Sequence, residues 1–299
     1  MDIFEPYFKA GEIARKTRAF ATSLIKSGVS VLDLCEKIEG FIKSQGGEPA
    51  FPCNICINEV AAHYTAEYMD SLRIPEQSIV KMDLGVHIDG FIVDTAITVA
   101  LDEKYMLLKE AAEEALRKAL KSIRASVSVY DIGETISKVA STYNLKPIRN
   151  LSGHEIARYN LHAGISIPNI PLQGGKFKLY GVYAVEPFIT EHWASGTVIE
   201  STKPVIYRCL SYKKIRDTEA NVLLKTLWSR FKGLPFAERW IHNMNLKCNV
   251  QNAWFKLKNS NLIKSYRPLV EISKGSVAQA EETILVVEDG VIELTGFPL

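Results

Sequence analysis

The sequence predicts a two-halved α/β protein with a small helical module inserted in its second half. Three observations predict it. The segment 29–38 reads VSVLDLCEKI and the segment 127–136 reads VSVYDIGETI, identical at six of ten positions. Each joins a long helical pattern to a shorter one. Internal self-similarity fixes architecture before local detail does, and a duplicated unit of two helices followed by strands places helices on one side of a sheet. A shared helix-start signal, Val-x-Asp, is the other reading of the match. The second observation is the stretch 82–99, MDLGVHIDGFIVDTAITV, in which Asp89-Gly90 stands as a two-residue turn between β-branched runs. The third is a change of composition at 209–268, where twelve Lys and Arg face three acids in a chain of net charge +2.

The elements follow in order. Helical periodicity covers 3–26 and stops at Gly28, and a second helix covers 31–44 before Gly46-Gly47. The run FPCNICINEV at 51–60 is extended, with Pro52 near its start. The hairpin occupies 79–99. A long helix rich in Ala, Leu, Glu and Lys covers 103–125. Another covers 131–143, with Asp131 as N-cap and Glu134 completing a capping-box pattern. Segments 146–154, 159–170 and 179–190 continue the second half. Within the basic segment, 217–232, 236–244 and 250–259 read as short helices and 262–272 as a β-wing, the order of a winged-helix-like module. Strands return at 278–287 and 291–295. The expected division is therefore a larger domain at 1–208 and 269–299, and an inserted basic subdomain at 209–268.

With 299 residues and 47% hydrophobic content, the chain has room for one large domain or two ordinary ones. No apolar run reaches eighteen residues, so no membrane helix is expected. The N-terminal MDIFEPYFKAGEIARK carries acids and lacks a signal-peptide core. Five cysteines form no paired framework, which suits a reducing, cytoplasmic setting. Cys53 and Cys56 have CxxC spacing, but no second Cys/His pair follows, so two small packed residues is the simpler reading.

The turn sets a register. If Asp89-Gly90 closes the hairpin, Ile88 faces Phe91, Gly85 faces Asp94 and Asp83 faces Ala96. Side chains alternate between faces, so Asp83 and Asp94 share a face as diagonal neighbours roughly 7 Å apart. Two carboxylates held that close need a cation, or one stays protonated. A lysine would serve as well as a metal. Other acids and histidines in apolar or strand-like surroundings are His154, Glu186 and Glu281. One histidine with four carboxylates is a hard, oxygen-rich donor set, suited to a pair of divalent ions such as Mn, Fe, Co or Zn. Each residue alone also reads as a solvated loop or strand-end group.

The stretches FPCNICINEVAAHY, KMDLGVHIDGFIVDTAITV, SGHEIARYNLHAGISIPN, VYAVEPF and AQAEETILVV change that balance together. In them the chain resembles the methionine aminopeptidases, and specifically their type II branch. The resemblance implies the pseudo-symmetric "pita-bread" fold with a helical insertion in its C-terminal half. It implies two divalent metal ions held by Asp83, Asp94, His154, Glu186 and Glu281. The Gln-x-Glu pattern selects Glu281 over Glu282. It also implies catalytic roles for His63, near the scissile amide nitrogen, for His162, near the carbonyl, and for Glu186 as proton shuttle. The implied reaction removes an initiator methionine ahead of a small penultimate residue, by attack of a metal-activated hydroxide on the first peptide bond. Phe51, Pro52, Leu161 and Phe188 flank the catalytic residues in sequence and are candidates for the methionine pocket, beside His63 and His162. Nascent polypeptide N-termini are the expected substrate, a monomer the expected state, and ribosomal RNA a candidate partner for the basic segment. Prolidase or aminopeptidase P shares the ligand types, and a non-catalytic paralogue that binds RNA or ribosomes shares the fold. The first usually adds a large N-terminal domain and the second loses ligands.

Overall fold

Ser30 and Ser128 start equivalent helices in space as they do in sequence. The computed structural model describes residues 2–201, 203–242, 244, 246 and 248–298. Helix α1 (Glu5–Leu24) precedes α2 (Val31–Ser44), and α3 (Met106–Ser122) precedes α4 (Val129–Thr142). The Ser30 hydroxyl accepts from the Asp33 amide, and the Ser128 hydroxyl from the Tyr130 amide. Each serine also forms an isolated antiparallel bridge, to Arg73 and Lys176 respectively. The repeat is thus a repeat of structure, down to the backbone bridge at each helix start. Asp131 is not the N-cap expected from its capping-box pattern. It lies in the first turn, where its charge faces the positive end of the helix, because Ser128 supplies the hydroxyl earlier.

The hairpin Ile79–Ile88 and Phe91–Ala100 has the predicted register, with Ile88 opposite Phe91, Gly85 opposite Asp94 and Asp83 opposite Ala96. Asp89 and Gly90 both have positive φ, 50° and 84°, as a two-residue primed turn requires. Glu48–Pro49 and Asn54–Ile57 pair with the other edge of Ile79–Ile88. The second half builds a five-stranded sheet in the order Gly290–Glu293, Glu282–Val287, Val182–Val185, Ser152–Ile156, Ser166–Pro168. The strand predicted at 278–287 is two strands, Val277–Gln279 and Glu282–Val287, broken at Ala280-Glu281.

The two halves meet along a seam of threonine hydroxyls rather than a continuous ladder. Thr283 Oγ1 accepts from the Asp94 amide and donates to the Asp94 carbonyl, both at 2.7 Å. Thr98 Oγ1 does the same for Gln279, at 2.8 and 2.7 Å. Thr95 Oγ1 donates to the Glu281 carbonyl at 3.0 Å. Helices α1 to α4 cover the sheets, and side chains such as Leu34, Ile38, Met82, Ala115, Ile136 and Tyr183 form one continuous core. Each fully buried large aliphatic contributes about 1.5–3 kcal/mol. Contact is close enough that a Cβ on Gly11 would lie 1.9 Å from the Leu294 carbonyl oxygen, so only glycine lets α1 approach that strand end.

The basic segment has a core of its own. Helices α5 (Thr218–Phe231), α6 (Glu238–His242) and α7 (Val250–Lys258) pack Leu223, Leu227, Phe231, Trp254 and Leu257 against one another. A three-stranded sheet joins them, with Ile206–Cys209 between Phe236–Ala237 and Ile263–Tyr266. The wing expected at 262–272 is not a hairpin. Ile263–Tyr266 stays in this sheet, whereas Leu269–Glu271 crosses to pair with Val198–Glu200 and Val60–Ala62 of the main body. Arg267-Pro268 lies between them, and proline cannot donate to a ladder.

Candidate metal centre

The seam and the hairpin together place the acids. Asp83 and Asp94 come from facing strands of the first half, His154 from Ser152–Ile156, Glu186 from the turn after Val182–Val185, and Glu281 from the break between Val277–Gln279 and Glu282–Val287. All five line one cavity between the halves, together with His63 and His162. Donor atoms of Asp94, His154 and Glu281 lie within 4.8 Å of one another. His154 Nε2 is 3.6 Å from Asp94 Oδ2 and 3.9 Å from Glu186 Oε1. Two amides steady the carboxylates. Asn54 Nδ2 donates to Asp83 Oδ2 at 3.0 Å, and Gln279 Nε2 lies 3.2 Å from Glu186 Oε2 and 3.3 Å from Glu281 Oε2.

The register at the C-terminal strand is decided by partners. Glu282 is fully buried and faces away, its two oxygens accepting from the Thr295 and Phe297 amides at 2.7 Å each. Glu281 faces the cavity.

Burial and mutual repulsion push the cluster toward protonation. Desolvation, then neighbouring carboxylates, raise Asp83, Glu186 and Glu281 well above the ordinary carboxylate range, and desolvation lifts Asp94 to about 7. Desolvation lowers His154 and His63 to about 4, so both are neutral at physiological pH. Desolvation and the adjacent His154 lower His162, whose ring centroid is 4.4 Å from that of His154. Among the described residues, Asp83 Oδ1, Asp94 Oδ1 and His154 Nδ1 are buried with no hydrogen-bond partner. Four converging carboxylates, two of them with an orphaned oxygen, cost several kcal/mol unless a cation compensates them. The donor set fits divalent metal ions, hard and oxygen-rich with one imidazole.

The family model described as metallopeptidase family M24 matches residues 6–207. A methionine aminopeptidase of Saccharolobus solfataricus is 42% identical over 96% of this chain and 95% of that protein. The chain belongs to metallopeptidase family M24. The fold of this M24 chain is also that of solved structures too distant in sequence to show more. They include a thermophilic Arx1 (TM-score 0.85, 16% identity, covering 100% of this chain and 92% of that one). A methionine aminopeptidase from Rickettsia prowazekii superposes with a TM-score of 0.70 at 22% identity, over 98% and 96% of the two chains. The two halves expected from the repeat, and the pita-bread fold that the resemblance implied, are thus present.

Of the M24 chain's candidate pocket residues, Phe51 and Leu161 line the cavity, with His63 and His162. Pro52 and Phe188 are buried but do not line it. Phe188 begins a different strand, Phe188–Glu191, and packs with Ala61, Ile148 and Val277 in a separate small core. Five wall residues were not anticipated: Asn54, Ala62, Ile206, Pro235 and Tyr266. Asn54 was within reach, because it pairs directly opposite Asp83. Ile206, Pro235 and Tyr266 lie on or beside the strands of the second core, and no sequence pattern aims them at the cavity. Tyr266 stands edge-on to His63, ring centroids 5.9 Å apart. His63 itself has a left-handed backbone, φ 63°, uncommon for a non-glycine residue and frequent at functional sites. Counted together with the open solvent at its mouth, the cavity has about 530 Å³ of atom-free space.

Proposed function

We propose that this chain is a methionyl aminopeptidase of the type II branch, removing the N-terminal methionine from nascent proteins and peptides with a small penultimate residue. One observation carries the reading. Five candidate ligand side chains from both halves meet His63 and His162 on a single cavity, in a chain 42% identical to a methionine aminopeptidase over nearly its full length. Asp83, Asp94, His154, Glu186 and Glu281 would hold two divalent ions, which would supply Lewis acidity and a water acidic enough to ionise near neutral pH. The remaining chemistry belongs to the chain. His63 and His162, neutral at pH 7, each offer one N–H donor and one lone pair. They hold the scissile amide and stabilise the oxyanion that develops on its carbonyl. Glu186 carries a proton to the leaving amine. Phe51, Leu161, Ile206, Pro235 and Tyr266 supply the apolar wall for the methionine thioether.

The type II assignment is supported by the inserted core between Ile206–Cys209 and Ile263–Tyr266. We place the subdomain at 209–268, within a catalytic domain at 1–208 and 269–299, and its first strand begins three residues inside the catalytic limit. Among the described residues no helix is long and apolar enough to cross a membrane. All five cysteines are free, which supports a reducing cytoplasmic setting.

The test is metal analysis with methionine release from a Met-Ala-Ser peptide. Stoichiometric metal with release supports the reading. Cleavage of Xaa-Pro dipeptides in place of Met-Ala-Ser supports prolidase, and neither metal nor turnover supports a non-catalytic paralogue.

Ribosomal RNA is the partner the basic insertion suits, through its first half. Lys256 pairs with Asp217, Lys258 with Glu238 and Arg267 with Glu200, which neutralises much of the second half. Lys213, Lys214, Arg216, Lys225, Arg230 and Lys232 are exposed, and none has an acid partner among the described residues. Exposed cations of this kind bind phosphate in a salt-dependent way. Cosedimentation with ribosomes should fall when Lys213, Lys214 and Arg216 become Glu. Unchanged binding at unchanged peptidase activity would remove this face from consideration.

A further inference from the structure

The insertion is tied to the main body by a buried charge pair that lies outside the cavity lining. Arg239, on α6, and Glu39, on α2, are 2% and 4% exposed and form an ion pair. Every oxygen of Glu39 is used. Oε1 also accepts from the Cys53 amide at 3.1 Å, and Oε2 accepts from the Trp240 indole at 2.7 Å. Arg239 Nη1 donates to Thr65 Oγ1 and to the Ala66 carbonyl, both at 2.8 Å, and Thr65 Oγ1 donates to the Cys53 carbonyl at 2.7 Å.

Cys53 is therefore held at both backbone groups, its amide by Glu39 and its carbonyl through Thr65 by Arg239. Its neighbours do the work of the cavity. Phe51 and Asn54 lie two residues before and one after it, and His63 lies two before Thr65; all three line the wall. On the other side, Pro235 stands four residues before Arg239, and Ile206 and Tyr266 belong to the sheet of the same module. The pair thus ties together the two walls between which a substrate side chain must fit, together with the strand pairing of Leu269–Glu271 with Val60–Ala62.

We propose that Glu39 and Arg239 are a positioning pair for the aminopeptidase reaction, setting the gap between the insertion's wall and the segment that carries Phe51, Asn54 and His63. The proposal rests on the function assigned above. The pair touches neither substrate nor metal ligand, so its loss should loosen ground-state fit and leave the chemical step nearly intact.

The experiment compares Arg239→Gln, Glu39→Gln, the double variant, Arg239→Lys and the milder Trp240→Phe, each loaded with metal, on Met-Ala-Ser. Arg239→Gln should raise KM about tenfold with kcat within about threefold, since a wall displaced by a fraction of an ångström weakens binding shared by ground and transition states. Trp240→Phe should raise it less, and Arg239→Lys should fall between parent and Arg239→Gln. The double variant should be no worse than the poorer single, as for any two residues acting as one unit. A structural role alone predicts the opposite split: active fraction and apparent kcat fall while KM stays. An unmoved KM in both Arg239→Gln and Trp240→Phe, or additive losses in the double variant, overturns the proposal. Limited proteolysis of the same set supplies an arm independent of turnover, with faster cleavage near 209 and 268 expected in Arg239→Gln. If the parent chain releases no methionine, the assigned function fails, and the proteolysis arm still decides whether the pair is a clamp.

Discussion

Adjacent glutamates at the C-terminal strand are expected to fail in opposite ways when removed. In Glu282→Ala, two buried amides, at Thr295 and Phe297, lose their only carboxylate acceptor. Neither residue 282 nor residue 295 has measurable exposure, so water does not easily replace the oxygens. Each orphaned donor costs about 1–3 kcal/mol, or about 2–6 kcal/mol together. Arg18, buried beside them with its guanidinium on Thr95, Thr295 and Gly296, loses a nearby opposite charge as well. For a chain of this size about 1 kcal/mol corresponds to about 2 °C, so the melting temperature should drop by about 4–12 °C. Calorimetry on parent, Glu282→Ala and Glu281→Ala, with metal content and methionine release measured at 20 °C, tests this. Glu282→Ala should bind metal and turn over while folded. Glu281→Ala should melt near the parent when both are metal-free, and should be inactive. If Glu282→Ala melts normally but loses metal, the assignment of faces at this strand is wrong.

Asp94→Ala should behave as Glu281→Ala does, losing metal by elemental analysis and turnover to background. His63→Ala and His162→Ala should keep their metal while kcat falls by about a hundredfold; loss of metal in either would make that histidine a ligand. The chelated protein should lose stability as pH rises. Asp94 titrates at 3.8 unfolded and at about 7 folded, so the fold holds its proton more tightly. That contribution is full below about 3.8, shrinks as pH climbs, and is gone above about 7. Melting temperatures of chelated protein should therefore decline between pH 5 and pH 8 while the metal-loaded protein changes little, and a flat profile without metal would refute the desolvation of Asp94 described here.

The hairpin and its acids were legible because period-two alternation and a two-residue turn leave one register open. Gly85 faces Asp94 for no other reason. The doubled helix start was legible because the repeated segment is local, although its cap is Ser128 rather than the expected Asp131. Contacts across hundreds of residues were not. Tyr266 meets His63 only because Ile263–Tyr266 stays in the inserted sheet while Leu269–Glu271 leaves it. The acids that neutralise Lys256 and Lys258 stand 39 and 20 residues away in sequence, so composition alone overstated the charge of that face. Phe188 looked like a wall residue by proximity to Glu186. Pro187 lies between them, and the strand it opens belongs to another sheet.

The threonine seam makes the two halves mechanically one. A hydroxyl that both accepts an amide proton and donates to the carbonyl of the same residue stands in for a strand neighbour. The amides of Asp94 and Gln279 are tied to such hydroxyls across 189 and 181 residues of chain. Opening either half exposes these donors, so neither half opens alone at low cost. A molecule with a duplicated plan should consequently unfold in one cooperative step, and its slowest-exchanging amides should straddle the join rather than sit at the centre of each half.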